Sequence, residues 1–161
     1  MTTAMAEAAS RGRLGVRHTA EVTERMLALE EHDDRWILPF RGLRVTQILV
    51  DHAFSLRLDD AGQVRIEGKA TLGWAAAGVR PETITLDPQR QDVAAGLAVF
   101  NTDVLSAVAF KSGVLRIVFS SGRLLRVPPD SDYEAWTAGG PGGMSVVSLP
   151  GGELAVWLPR P

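Results

Sequence analysis

The chain has 161 residues, a net charge of −2, 45% apolar and 22% charged residues, and no cysteine. That balance belongs to ordinary globular proteins, at a length that favours one domain, and not to disordered, coiled-coil or membrane-embedded chains. The missing thiols exclude disulfides, thiolate nucleophiles, iron–sulfur clusters and cysteine-held zinc.

No apolar run approaches the ~20 residues that cross a bilayer, and no basic-then-apolar start marks secretion. The basic residues are scattered arginines with only Lys69 and Lys111 beside them, and lack the clustering of a phosphate-binding surface. The expectation is a cytoplasmic protein that binds neither membrane nor nucleic acid.

Residues 1–16 are Ala-rich and aperiodic and read as a flexible extension, with Met26 as an alternative start. Val22, Met26, Leu27 and Leu29 recur at roughly helical spacing, which predicts a helix over 19–32. Its end carries Glu30, Glu31, Asp33 and Asp34, and negative charge there opposes the helix dipole and favours fraying. Residues 1–34 are therefore expected to be an extension and residues 35–161 a single compact β-rich domain.

The domain opens at Trp36 with a short strand that Pro39 confines to an edge, and Arg41-Gly42 marks a turn. Strands are predicted over 43–50, 52–58 and 63–74, the last interrupted by Gly68 and Gly73 as bulges or bends. Residues 75–81 read as a loop and 82–86 as a short strand. Asp87-Pro88 then resembles a cap followed by proline at the first helical position, predicting a helix over 88–100 with Val93, Leu97 and Phe100 on the sheet-facing side.

A second set of strands follows over 103–110, 114–120 and 123–127, joined by Lys-Ser-Gly and Ser-Ser-Gly turns. Pro128-Pro129 halts the sheet, a short turn carries Tyr133 to Trp136, residues 139–143 form a glycine-rich loop, and two strands close the chain over 144–149 and 153–158. Phe54, Leu56, Leu58, Gly62, Val64 and Ile66 in the first set parallel Leu115, Ile117, Phe119, Gly122, Leu125 and Val127 in the second, so the two meanders suggest an internal duplication. The expected class is α+β, mainly antiparallel, built as a sandwich or a partly open barrel with one central helix and a weaker N-terminal one.

Few residues offer chemistry. Asp51-His52 holds the one histidine of the domain, but neighbours on a strand point to opposite faces, so the carboxylate is badly placed to orient the imidazole. Asp130, Asp132 and Glu134 form the densest acidic cluster of the domain, yet the glycine and the later bidentate acid of a calcium loop are missing, which favours a turn-forming role after Pro-Pro. The glycines of 139–143 lack the lysine and hydroxyl of a phosphate loop and lead into a strand. No nucleophile elbow is present, and Trp36, Trp74, Trp136 and Trp157 read as packing anchors whose indole nitrogens need partners.

The string from Leu125 to Trp136, Leu-Arg-Val-Pro-Pro-Asp-Ser-Asp-Tyr-Glu-Ala-Trp, and Pro150-Gly-Gly-Glu-Leu-Ala-Val-Trp157 resemble a small uncharacterised family found largely in actinobacteria. The likeness extends to residues 36–58. It implies a compact domain without cofactors, and the C-terminal pattern is similar to immunity proteins of bacterial toxin systems.

The leading expectation is thus a non-enzymatic interaction domain whose contact surface for a basic protein partner is Asp130, Asp132, Tyr133, Glu134 and Trp136. The alternative is a hydrolase or metal-dependent enzyme built on Asp51 and His52 with nearby carboxylates. A third reading is a small-ligand binder whose mouth is lined by Trp74 and Phe110. Homo-oligomers are compatible with the edge strand and the unassigned aromatics.

Overall fold

A computed structural model describes residues 28–76 and 83–161. The extension over residues 1–16, most of the predicted helix over 19–32, and part of the 75–81 loop lie outside the described residues. The end of that helix that is described is extended: Glu30–Glu31 is a two-residue strand, β1, paired with β2 (Arg35–Ile37).

The first meander consists of β3 (Val45–Val50), β4 (Phe54–Leu58) and β5 (Gly62–Ile66), followed by β6 (Ala70–Trp74) and β7 (Ile84–Leu86). The second consists of β8 (Val104–Phe110), β9 (Leu115–Phe119) and β10 (Arg123–Val127). Three short strands finish the chain: β11 (Trp136–Gly139), β12 (Ser145–Ser148) and β13 (Leu154–Trp157). All pairings are antiparallel, in a seven-stranded sheet of order β1-β2-β8-β9-β10-β6-β7 and a six-stranded sheet of order β13-β12-β11-β5-β4-β3. The two meanders lie one in each sheet.

Alternation explains the core. Phe54, Leu56 and Leu58 with Val64 and Ile66 supply one inner face, and Leu72, Leu115, Ile117, Phe119, Leu125 and Val127 the other; all are at most 1% exposed and share one cluster. Residues between them, such as Arg57 and Arg126, stay exposed, as period-two strands require. The arrangement is a sandwich-like pair of sheets and not a closed barrel.

Three expectations are corrected. The strand predicted over 63–74 is two strands in two different sheets. Between them the Glu67 and Gly68 amides both donate to the Ala135 carbonyl at 2.9 Å, which carries the chain across from β5 to β6. A Cβ at Gly68 would stand 3.3 Å from that of Ala135, so the chain passes that residue in tight contact.

The single helix predicted over 88–100 is replaced by two 3₁₀ turns, Pro88–Arg90 and Ala94–Val99, and no α-helix occurs among the described residues. Gln91 has φ 55°, and the Asp87 and Asp92 backbones exchange hydrogen bonds of 2.9 and 3.0 Å across it. A helix cannot run through a left-handed residue, so the chain folds back. Val93 and Val99 are buried in consequence, while Leu97 and Phe100 are 58% and 53% exposed.

Third, β11 occupies a position where a turn and a glycine loop were expected. It runs between β5 and β12, inside the six-stranded sheet.

Candidate functional site

The crossover at residues 67–69, the Asp87–Gln89 turn and the Pro128–Glu134 loop come from three separate stretches of the chain. They meet around a cleft of about 720 Å³. Its walls bring together Glu67, Asp87, Asp130 and Glu134, four carboxylates, with Lys69 and Tyr133.

The loop is shaped by Asp130. Its Oδ1 accepts the amides of Asp132 (2.8 Å) and Tyr133 (3.1 Å), and its carbonyl accepts the Gly151 amide at 2.8 Å. This is the turn-forming role that the sequence favoured. The turn leaves Tyr133 74% exposed on the rim of the cleft, with Glu134 exposed beside it.

Below the loop the chain is clasped across the sandwich. Trp136 on β11 is 1% exposed, and its indole Nε1 donates to the Gly113 carbonyl at 2.8 Å; the Ser148 hydroxyl on β12 donates to the same oxygen at 3.0 Å. Gly113 sits in the β8–β9 turn of the other sheet with φ +96°, and a Cβ there would lie 2.6 Å from Gly152 Cα. Trp136 is therefore withdrawn from the expected contact surface. It is a buried strut that fixes where the Asp130 turn stands.

The opposite wall is held by charge. Arg65 on β5 donates from Nε to Glu67 Oε1 at 2.9 Å and lies 3.2 Å from Asp51 Oδ2 through Nη1, and these bonds hold its guanidinium above the ordinary range. Gln89 Nε2 donates to the Glu67 carbonyl at 3.4 Å. Lys69 Nζ stands 3.8 Å from Asp87 Oδ2. Asp87 is 9% exposed, and its Oδ1 is buried with no hydrogen-bond donor among the described residues. Asp87 makes no side-chain capping bond, so its resemblance to a helix cap was misleading.

The enzymatic alternative gains no support from this arrangement. Asp51 accepts the Ala53 amide at 2.7 Å and pairs with Arg65, which together hold its carboxyl below the usual range. No hydrogen bond joins it to His52, which is exposed in the β3–β4 turn, and neither residue lines the cleft. Among the described residues no three histidine or carboxylate side chains are grouped to hold a metal ion.

Trp74 and Phe110 do not share a mouth. Phe110 follows Ala109, which faces Leu115 at one end of β9, whereas Trp74 faces Arg123 beyond the other end. Each is covered by arginine: Arg123 lies 3.9 Å from the Trp74 ring centre, and Arg35 and Arg116 flank Phe110 at 5.9 and 5.2 Å.

Sequence reasoning found the Asp130 to Glu134 side of the cleft because that cluster is dense in the chain. It missed Glu67, Lys69 and Asp87, which are isolated in sequence and carry no spacing signal. No helix among the described residues is long and apolar enough to cross a membrane. No curated protein and no solved structure matches the chain significantly. Residues 36–158, which hold every element from the buried strut to both walls of the cleft, match a family of unknown function, DUF6188, and the chain belongs to that family.

Proposed function

We propose that this chain is a non-enzymatic interaction domain that grips a basic protein partner through the acidic cleft. The observation that carries the reading is Tyr133, 74% exposed at the edge of a recess walled by Glu67, Asp87, Asp130 and Glu134. An exposed aromatic on a rigid turn gives contact area at low entropic cost, and the carboxylates add steering and selectivity for positive charge. The immunity-type form of the reading, in which the partner is a toxin that is blocked in the cytoplasm, rests on the resemblance of the C-terminal pattern.

The test is affinity capture from the native cells with the tagged full-length chain and with Tyr133→Ala and Glu134→Lys. The expected result is a basic partner eluted by salt, which the purified variants bind at least tenfold more weakly in calorimetry. A partner held equally by all three proteins, or eluted at no salt concentration, overturns the proposal.

A further inference from the structure

Four strands end the two sheets, and three of them are blunted in familiar ways. β1 is two glutamates, while β7 and β13 are three and four residues long with Pro88 and Pro159 soon after. β3 is different: Val-Thr-Gln-Ile-Leu-Val is six residues without charge or proline, and its one irregularity is a bulge at the start, between Val45 and Gln47. A β-branched, uncharged edge of this length is a template for another strand.

The open part of the edge is sharply bounded. The Val45 amide donates to the Thr102 carbonyl and the Val45 carbonyl accepts the Asn101 amide, both at 2.9 Å, so the connection before β8 closes the edge there. From Thr46 to Val50 the backbone bonds only to β4 among the described residues. Leu49 and Val50 are 38% and 51% exposed. The same connection brings exposed Leu97 and Phe100 alongside, since it packs Gly96 against Phe54, the partner of Val50, before reaching Val45. Neither 45–50 nor 93–102 contains a charged residue.

We infer that β3 is a dimer seam, paired antiparallel with β3 of a second copy about a two-fold axis at Ile48. The open stretch Thr46–Val50 is centred on that residue. Ile48 then faces its own copy, Gln47 faces Leu49 and Thr46 faces Val50, and the ladder stops on both sides where Thr102 takes the Val45 backbone. The uncharged seam brings no like charges together. At each end Asp51 comes level with Val45 of the second copy, one residue from Arg44, so the flanking charges are opposite in sign. Four large apolar side chains near half exposure, with the strand itself, cover roughly 500 Å² per copy, the lower limit of a specific interface, which favours micromolar affinity.

The test is sedimentation of the full-length chain, expected to show a monomer–dimer equilibrium with a Kd on the order of 10 μM. Leu49→Lys, at an exposed position, weakens it at least tenfold while keeping the urea midpoint of the parent. Trp157→Lys, on the opposite edge of the same sheet, leaves it unchanged. The register is read by cross-linking, because the chain has no cysteine of its own. Ile48→Cys stands about 5 Å from its mate between Cα atoms, within disulfide reach, and is trapped as a covalent dimer by mild oxidation. Val50→Cys is offset from its mate by roughly 13 Å along the strand and is not.

A monomer at every concentration overturns the inference, including one whose Thr46–Val50 amides resist hydrogen exchange because another segment of the same chain covers the edge. A dimer insensitive to Leu49→Lys, one lost with Trp157→Lys, or equal trapping of both cysteine variants overturns it too.

Discussion

Replacing Trp136 with phenylalanine separates the strut from the contact surface. The substitution deletes the indole N–H that donates to the Gly113 carbonyl at 2.8 Å in a site 1% exposed. A buried hydrogen bond of this kind contributes about 1 kcal/mol net. Contracting the ring removes two further buried carbons, worth ~0.8 kcal/mol each and leaving a space that rigid strands close poorly. The sum is about 2.5 kcal/mol, which in urea moves the midpoint by about 1 M.

Ser148 sharpens the test because its hydroxyl donates to the same oxygen at 3.0 Å. With either donor gone the carbonyl keeps the other; with both gone it is buried and unpaired. Trp136→Phe and Ser148→Ala together should therefore cost about 1 kcal/mol more than the sum of the single variants. Urea unfolding followed by far-ultraviolet circular dichroism, which does not depend on indole emission, reads all four proteins. A loss below about 0.5 kcal/mol for Trp136→Phe, or strict additivity in the cycle, refutes the strut.

Three other perturbations probe separate parts of the argument. Gly96→Ala places a Cβ 2.5 Å from Phe54 Cζ and 2.8 Å from Cε2, so the ring must shift within the core; a loss of about 1–3 kcal/mol in the same assay is expected, and a neutral result contradicts the close approach. Tyr133→Ala, at an exposed position, should leave stability within about 0.5 kcal/mol of the parent while removing partner capture. The Asp103 carboxyl is held below its ordinary value by its hydrogen bonds to Arg44, at 2.8 and 3.3 Å, so its stabilising contribution is full above the unfolded value near about pH 4 and disappears as pH falls through the lower folded value. Asp103→Asn is thus expected to be less stable than the parent at neutral pH and to converge with it in acid, as urea midpoints across pH will show; a gap that widens on acidification contradicts the pairing.

Much of the scaffold was legible because strand alternation is a local signal. Phe54-Ser-Leu-Arg-Leu and Leu115-Arg-Ile-Val-Phe each declare a buried face without reference to the rest of the chain, and Gly113 and Gly122 mark the turns on either side of the second with positive φ. Elements decided by distant partners were not legible. The split of 63–74 depends on the Ala135 carbonyl, some seventy residues away, and β11 exists because β5 and β12 flank a segment of four residues, too short to announce itself. Gln91 turning left-handed undid the helix that the Asp87-Pro88 start and the spacing of Val93, Leu97 and Phe100 favoured.

By itself, then, the sequence determined a mainly antiparallel β protein without thiol chemistry, an Asp130 turn carrying Tyr133, and the absence of any linear catalytic pattern, since these follow from residue type and period. Only the tertiary structure decided that Trp136 faces inward and that Glu67 and Asp87 stand across from Asp130 and Glu134. A cleft is made of residues distant in the chain, and their meeting is fixed by which sheet each strand joins, which no local pattern encodes.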